Sequence, residues 1–89
     1  MSYQPRERAF LRDLGLRIRR IREDRDWSQE TFAFQCDLHR TYLGAVERGE
    51  RNVSALNLRK MAAALGVPLA DFFPTNLQID PGQVREKKR

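Results

Sequence analysis

The apolar residues of this chain recur at helical spacing, and capping residues cut them into short stretches. Phe10, Leu11, Leu14, Ile18 and Ile21 repeat at threes and fours, as do Leu58, Met61, Ala62 and Leu65 further along. No alternating run of useful length offers a strand. Helices this short do not hold by themselves in water, so their stripes must be buried against one another. An all-α domain of about five helices follows. The first runs from Pro5 to about Asp24 or Arg25, with proline suited to its first turn. Ser28 caps the second, with Trp27 and Phe32 placed to close over that cap as a hydrophobic staple. After a break at Asp37, a third spans about His39 to Arg48, and Gly49 ends it. Ser54 caps the fourth, and Gly66 lies just past its end. Pro68 opens a short fifth carrying Leu69, Phe72 and Phe73, and Pro74 stops it.

With 89 residues, the chain has room for one domain and one modest core, too little for most enzymes. Residues 1–73 form the domain. From Pro74 apolar residues thin out, and 74–89 read as a mostly extended basic tail whose last five residues, Arg85 to Arg89, hold four bases and one acid. Seventeen Lys and Arg against twelve Asp and Glu leave a formal charge of +5, which favours an anionic partner, nucleic acid first. No apolar run is long enough for a membrane helix, and the start has no signal-peptide stretch. The expected location is therefore cytoplasmic. Cys36 is the lone cysteine, so no internal disulfide forms. With His39 it makes only two potential ligands, too few for zinc. No nucleophile accompanies the single histidine and no Gly-rich phosphate loop exists, so neither enzyme chemistry, a metal, a cofactor nor a small-molecule ligand is expected.

The segment from Gln29 to Arg48 carries the functional information. Two short helices crossing steeply need a small residue at the crossing, which Ala33 supplies. Their inner faces need apolar residues, and Phe32, Cys36, Leu38, Leu43 and Val46 fall there. The turn between them needs a residue tolerant of positive φ, and Asp37 is one. This is the pattern of a helix-turn-helix, with further helices on both sides.

Four runs, Ile18-Arg19-Arg20-Ile21-Arg22, Trp27-Ser28-Gln29-Glu30, Val46-Glu47-Arg48-Gly49 and Ala62-Ala63-Ala64-Leu65-Gly66-Val67, resemble the lambda-repressor/Cro-like (XRE) helix-turn-helix family over about Leu14 to Phe73. Within that family, Arg40-Thr41-Tyr42 followed by Glu47-Arg48-Gly49-Glu50-Arg51-Asn52 is similar to the controller proteins of restriction–modification systems. The chain departs from the family at Asp26 and Asp37, where glycine is frequent.

The resemblance implies a sequence-specific regulator that binds double-stranded DNA as a homodimer on a two-fold operator. His39, Arg40, Thr41 and Tyr42 would face the bases at the start of the third helix, with Arg40 suited to a two-pronged bond to guanine. Gly44 and Ala45, being small, would let that helix sit close. Ser28, Gln29, Arg48, Arg51 and Asn52 would hold the DNA backbone. The family pattern also pairs Arg22 with Glu47 in a largely buried bridge that seats the third helix. For a dimer surface the candidates are Leu56, which lies off the buried stripe of its helix, and the Phe72-Phe73 pair, of which one ring fills the core and the other is left for a partner. Phe34 has no assigned role. A different class of function also fits a small basic helical domain: an antitoxin-like adaptor that binds a protein through residues 1–9 and 74–89.

Overall fold

The protein is described over residues 3–73 of a computed structural model, in which four α-helices and one tighter turn surround a single core. The basic tail expected over 74–89 lies outside the described residues. Helix α1 spans Pro5–Asp24, α2 Gln29–Cys36, α3 Arg40–Glu47 and α4 Ala55–Leu65. No strand occurs among the described residues. Where a fifth helix was expected, Leu69–Phe72 makes one 3-10 turn closed by Asp71 N–H to the Pro68 carbonyl and Phe73 N–H to that of Ala70. Between the Gly66 stop and Pro74 too few residues remain to propagate a helix, and the i→i+3 pattern is what so short a segment adopts.

Local chemistry sets each boundary. The Ser28 hydroxyl accepts the Thr31 N–H at 3.0 Å, and the Ser54 hydroxyl accepts the Asn57 N–H at 3.0 Å. Trp27 and Phe32 meet over the α2 cap with ring centroids 6.2 Å apart. Asp26 and Asp37 both adopt φ of +59°, the left-handed region, so each aspartate makes the turn that glycine makes more cheaply.

Leu14, Ile18, Phe32, Cys36, Leu43, Val46, Leu58, Met61, Leu65 and Phe72 fill the core. Each α1 stripe residue from Leu11 to Ile18 is buried, while Phe10 at its start remains 40 % exposed and stacks on Phe73 with centroids 6.1 Å apart. Helix α1 packs against α3, α2 against both α3 and α4, and the 3-10 turn against α4 and α1. The α1–α3 approach is close because Gly15 has no side chain: a Cβ there would lie 2.3 Å from the Val46 carbonyl oxygen. Glycine inside a helix costs about 1 kcal/mol against alanine, which the closer packing of two helices offsets. At the far end of α1, the Arg25 guanidinium donates through Nε to the Leu65 carbonyl at 2.8 Å, and through Nη2 to the same oxygen. It thereby supplies partners at the carbonyl end of α4. No helix among the described residues is long and apolar enough to cross a membrane.

Candidate nucleic-acid interface

Helix α3 has two ends of opposite character. Its first turn is exposed at Arg40 and Thr41, and its last residues, from Leu43 through Glu47, are buried. The pattern follows from the sequence, because RT precedes an unbroken small and apolar run closed by a carboxylate.

The buried end is held by a network. Arg22 and Glu47, both 7 % exposed, form a two-pronged pair: Nε to Oε2 at 2.6 Å and Nη2 to Oε1 at 3.0 Å. The remaining guanidinium nitrogen, Nη1, donates to the Trp27 carbonyl at 2.7 Å. Gln29 donates its side-chain N–H to Glu47 Oε1 at 2.9 Å. Hydrogen bonding to Glu47 raises the Arg22 pKa above its ordinary value, against burial, which acts in the other direction. One pair of charges thus joins α1, the loop before α2, α2 itself and α3. Gln29, expected to hold a phosphate, commits one of its amide donors to this network.

At the exposed end, His39 is the residue before the helix, and its Nδ1 accepts the Thr41 N–H at 3.2 Å. Among residues expected to read bases, it is therefore a helix cap. Arg40 is exposed and makes no ion pair with Asp37. Thr41 is exposed beside it. Tyr42 is half-buried against the core, with its hydroxyl accepting a hydrogen bond from Asn57 Nδ2 at 3.0 Å. The guanidinium carbon of Arg51 lies 5.2 Å from the Tyr42 ring centroid. Gly44 and Ala45, whose small size was expected to let the helix sit close to the bases, are buried. Gln29 Oε1 and Arg48 Nη1 lie 3.5 and 3.3 Å from where a Gly44 Cβ would sit, so their side chains cover this part of the helix.

Apart from Gln29, the residues expected on the DNA backbone are exposed. Ser28 is exposed but engaged, its hydroxyl also donating to that of Thr31 at 3.1 Å. Arg48 makes two bonds to Glu50, both 3.1 Å, with both side chains more than half exposed. That bond holds the Glu50 carboxyl below the usual carboxylate range. Arg51 and Asn52 are exposed on the loop after α3. Of the residues expected at a dimer surface, Leu56 is 60 % exposed, Phe73 is half-buried, and Phe72 is completely buried. Phe72 is therefore the core ring of the pair and offers no surface to a partner. Burial raises the Cys36 thiol to a pKa of about 11, which keeps it protonated and unreactive at neutral pH. Among the described residues no cluster of side chains suited to a metal ion occurs.

Four functional contacts were not legible in the sequence: the His39 cap, the Arg25 bond to α4, the Asn57–Tyr42 bond and the Gly15 crossing. Only Gly15 left a signal, as a glycine inside a long helix between the stripe residues Leu14 and Ile18.

Comparison with known proteins agrees with this arrangement. Residues 18–72 match the HTH_3 helix-turn-helix family. Control protein C.BamHI of Bacillus amyloliquefaciens is 52 % identical over 60 residues, 66 % of this chain and 74 % of that protein. Control protein C.MunI of Mycoplasma sp is 47 % identical over 60 residues, 66 % of this chain and 81 % of that protein. The restriction-modification controller protein C.AhdI from Aeromonas hydrophila superposes with a TM-score of 0.72 at 46 % identity, covering 73 % of this chain and 98 % of that one. The helical arrangement and these relatives converge, and the chain belongs to the XRE-type helix-turn-helix family as a DNA-binding transcription regulator, not an enzyme.

Proposed function

We propose that this chain is a cytoplasmic controller of a restriction–modification system and acts as a homodimer on a two-fold operator. The observation that carries the reading is the division of α3: its first turn presents Arg40 and Thr41 to solvent while its other end is fixed by Arg22, Glu47 and Gln29. A planar guanidinium at that position suits guanine O6 and N7, and a threonine beside it suits a base edge or a thymine methyl. Arg48, Arg51 and Asn52, together with the backbone N–H groups at the start of α2, suit the phosphates on either side. The similarity to controller proteins supports the narrower role.

One such helix spans only a few base pairs, too few for selectivity in a genome, so two copies on a two-fold site are required. Exposed Leu56 and half-buried Phe73 are the residues assigned to that contact. Selection of bound sequences from a random duplex library tests the whole reading. A two-fold enriched motif is expected, with sedimentation reporting a dimer. Absence of enrichment, with binding to a protein partner that is insensitive to salt, would replace it with the adaptor.

A further inference from the structure

The outer end of α3 and the loop behind it are linked by a chain of contacts that the division into base readers and phosphate holders leaves unexplained. It begins at the cap of α4. The Ser54 hydroxyl fixes the Asn57 backbone through its N–H at 3.0 Å, and the Asn57 side chain then donates to the Tyr42 hydroxyl at 3.0 Å. Tyr42, packed on the core, presents a ring face to the Arg51 guanidinium at 5.2 Å from centroid to carbon. Arg51 is a long, exposed side chain on a loop between two helices, and without support it samples many rotamers. The hydroxyl is already engaged and the ring already half-buried, so Tyr42 is poorly placed to search for a base edge.

We infer that Tyr42 is a positioning residue, not a base reader: its ring holds Arg51 aimed at a DNA phosphate, and Asn57 locks the ring. The inference rests on the proposed DNA-backbone role of Arg51. It connects the reading turn to the phosphate grip, since Tyr42 directly follows Arg40 and Thr41 in α3. A charge pre-aligned on an aromatic face loses less freedom on binding than one recruited from solvent.

A double-mutant cycle on the full chain tests it, with affinity measured on the selected operator and on variants of each base pair. Arg51→Ala lowers the slope of log affinity against log salt by about one. Tyr42→Leu, which keeps apolar bulk but has no π face, weakens binding to every sequence alike by about two- to fivefold, the strength of an exposed cation–π contact. In the Arg51→Ala background Tyr42→Leu costs nothing further, while Tyr42→Phe, which keeps the π face and loses the bond from Asn57, restores only part of the coupling to Arg51, and full restoration would remove Asn57 from the inference. In the free wild-type protein, NMR should show the Arg51 side-chain protons shifted upfield by the ring, a test that stands even if Tyr42→Leu does not fold. Equal losses from Tyr42→Leu with and without Arg51 would overturn the inference while leaving the phosphate role of Arg51 intact. Relaxed choice at one base pair would make Tyr42 a reader after all, and an absent upfield shift would remove the stack. An unchanged salt slope in Arg51→Ala would instead refute the phosphate role, and the inference would fall with it.

Discussion

Two arginine–glutamate pairs meet at the C-terminal end of α3, and they differ in almost every respect. Arg22 and Glu47 lie inside the domain and bridge 25 residues of sequence, with further bonds to Trp27 and Gln29 completing their partners. Arg48 and Glu50 are two residues apart and exposed. The chemistry of the pairs is the same and the environment is not. Inside, each charge is held by the other, because water cannot replace a lost partner. Outside, solvent and salt compete continually with the pair, so Arg48 can exchange Glu50 for a phosphate at little loss. Buried charge seats α3; exposed charge remains available for the proposed contact with DNA.

The largest effect should come from breaking the inner pair. Glu47→Ala leaves Arg22 buried beside an empty partner site, and removing one member of a buried pair typically costs about 3–5 kcal/mol. For a domain of this size that is a large part of the total, since small proteins hold together by about 5–15 kcal/mol. Urea unfolding followed by circular dichroism reads the loss directly. A variant that keeps wild-type stability but loses its base preference would reverse the comparison, making Glu47 a participant in recognition.

The same seat can be disturbed without touching charge. Gly15→Ala places a methyl group 2.3 Å from the Val46 carbonyl oxygen and 2.6 Å from that of Glu47, both backbone atoms. The gain in helix propensity is about 1 kcal/mol, whereas forcing two packed helices apart costs about 1–3 kcal/mol. A lower thermal midpoint is expected despite the better helix former, and a raised one would mean that α1 and α3 separate easily.

Arg40→Ala acts on the outer end alone. It should cost about 1–3 kcal/mol on the preferred operator and relax the choice at one base pair per half-site, with the unfolding curve unchanged. A base-by-base affinity scan distinguishes this from a phosphate contact, which would weaken all sequences uniformly. Arg40→Lys should restore general attraction and not the preference, because an ammonium cannot match both guanine acceptors.

What was legible in the sequence divides along the same line. Caps and breaks are local: Ser28, Ser54, Asp37 and Gly66 act on backbone a few residues away, so the four helix boundaries could be read from neighbours. Arg22 with Glu47 became legible through family resemblance, since nothing in either residue's vicinity points to the other. The Arg25 bond to the Leu65 carbonyl joins residues 40 apart and left no trace in periodicity. Tyr42 illustrates the limit at the site. Its position beside Arg40 and Thr41 suggests a base contact, and nothing near it in sequence points to the half-buried ring or to the bond its hydroxyl accepts from α4. Phe72 and Phe73 pose the same problem in the core, because adjacent residues on a turn separate to different faces. Only the packing shows that Phe72 is the one inside.

The smallest effect concerns the outer pair and gives the comparison its finest test. Glu50→Gln removes a negative charge that lies beside Arg48, a residue proposed to hold phosphate. Fold stability should not change measurably, because exposed pairs contribute little. DNA affinity should rise for all sequences alike, since Arg48 no longer has to leave a carboxylate and the phosphates no longer meet one. The gain should fade as salt rises from about 50 to 200 mM, where screening weakens exposed charges and phosphate contacts alike. Lowering the pH is not an equivalent experiment. Arg48 holds the Glu50 carboxyl below its ordinary value, so the stabilisation from this pair is complete above the unfolded-state pKa, near 4.5. It is lost only as pH falls through the lower folded-state value, so Glu50 remains ionised throughout the neutral range. Binding isotherms for the wild type and Glu50→Gln at both salt concentrations decide the matter. A gain confined to one base pair would place Arg48 among the base readers, and a loss of stability would show that the outer pair, like the inner one, holds the fold.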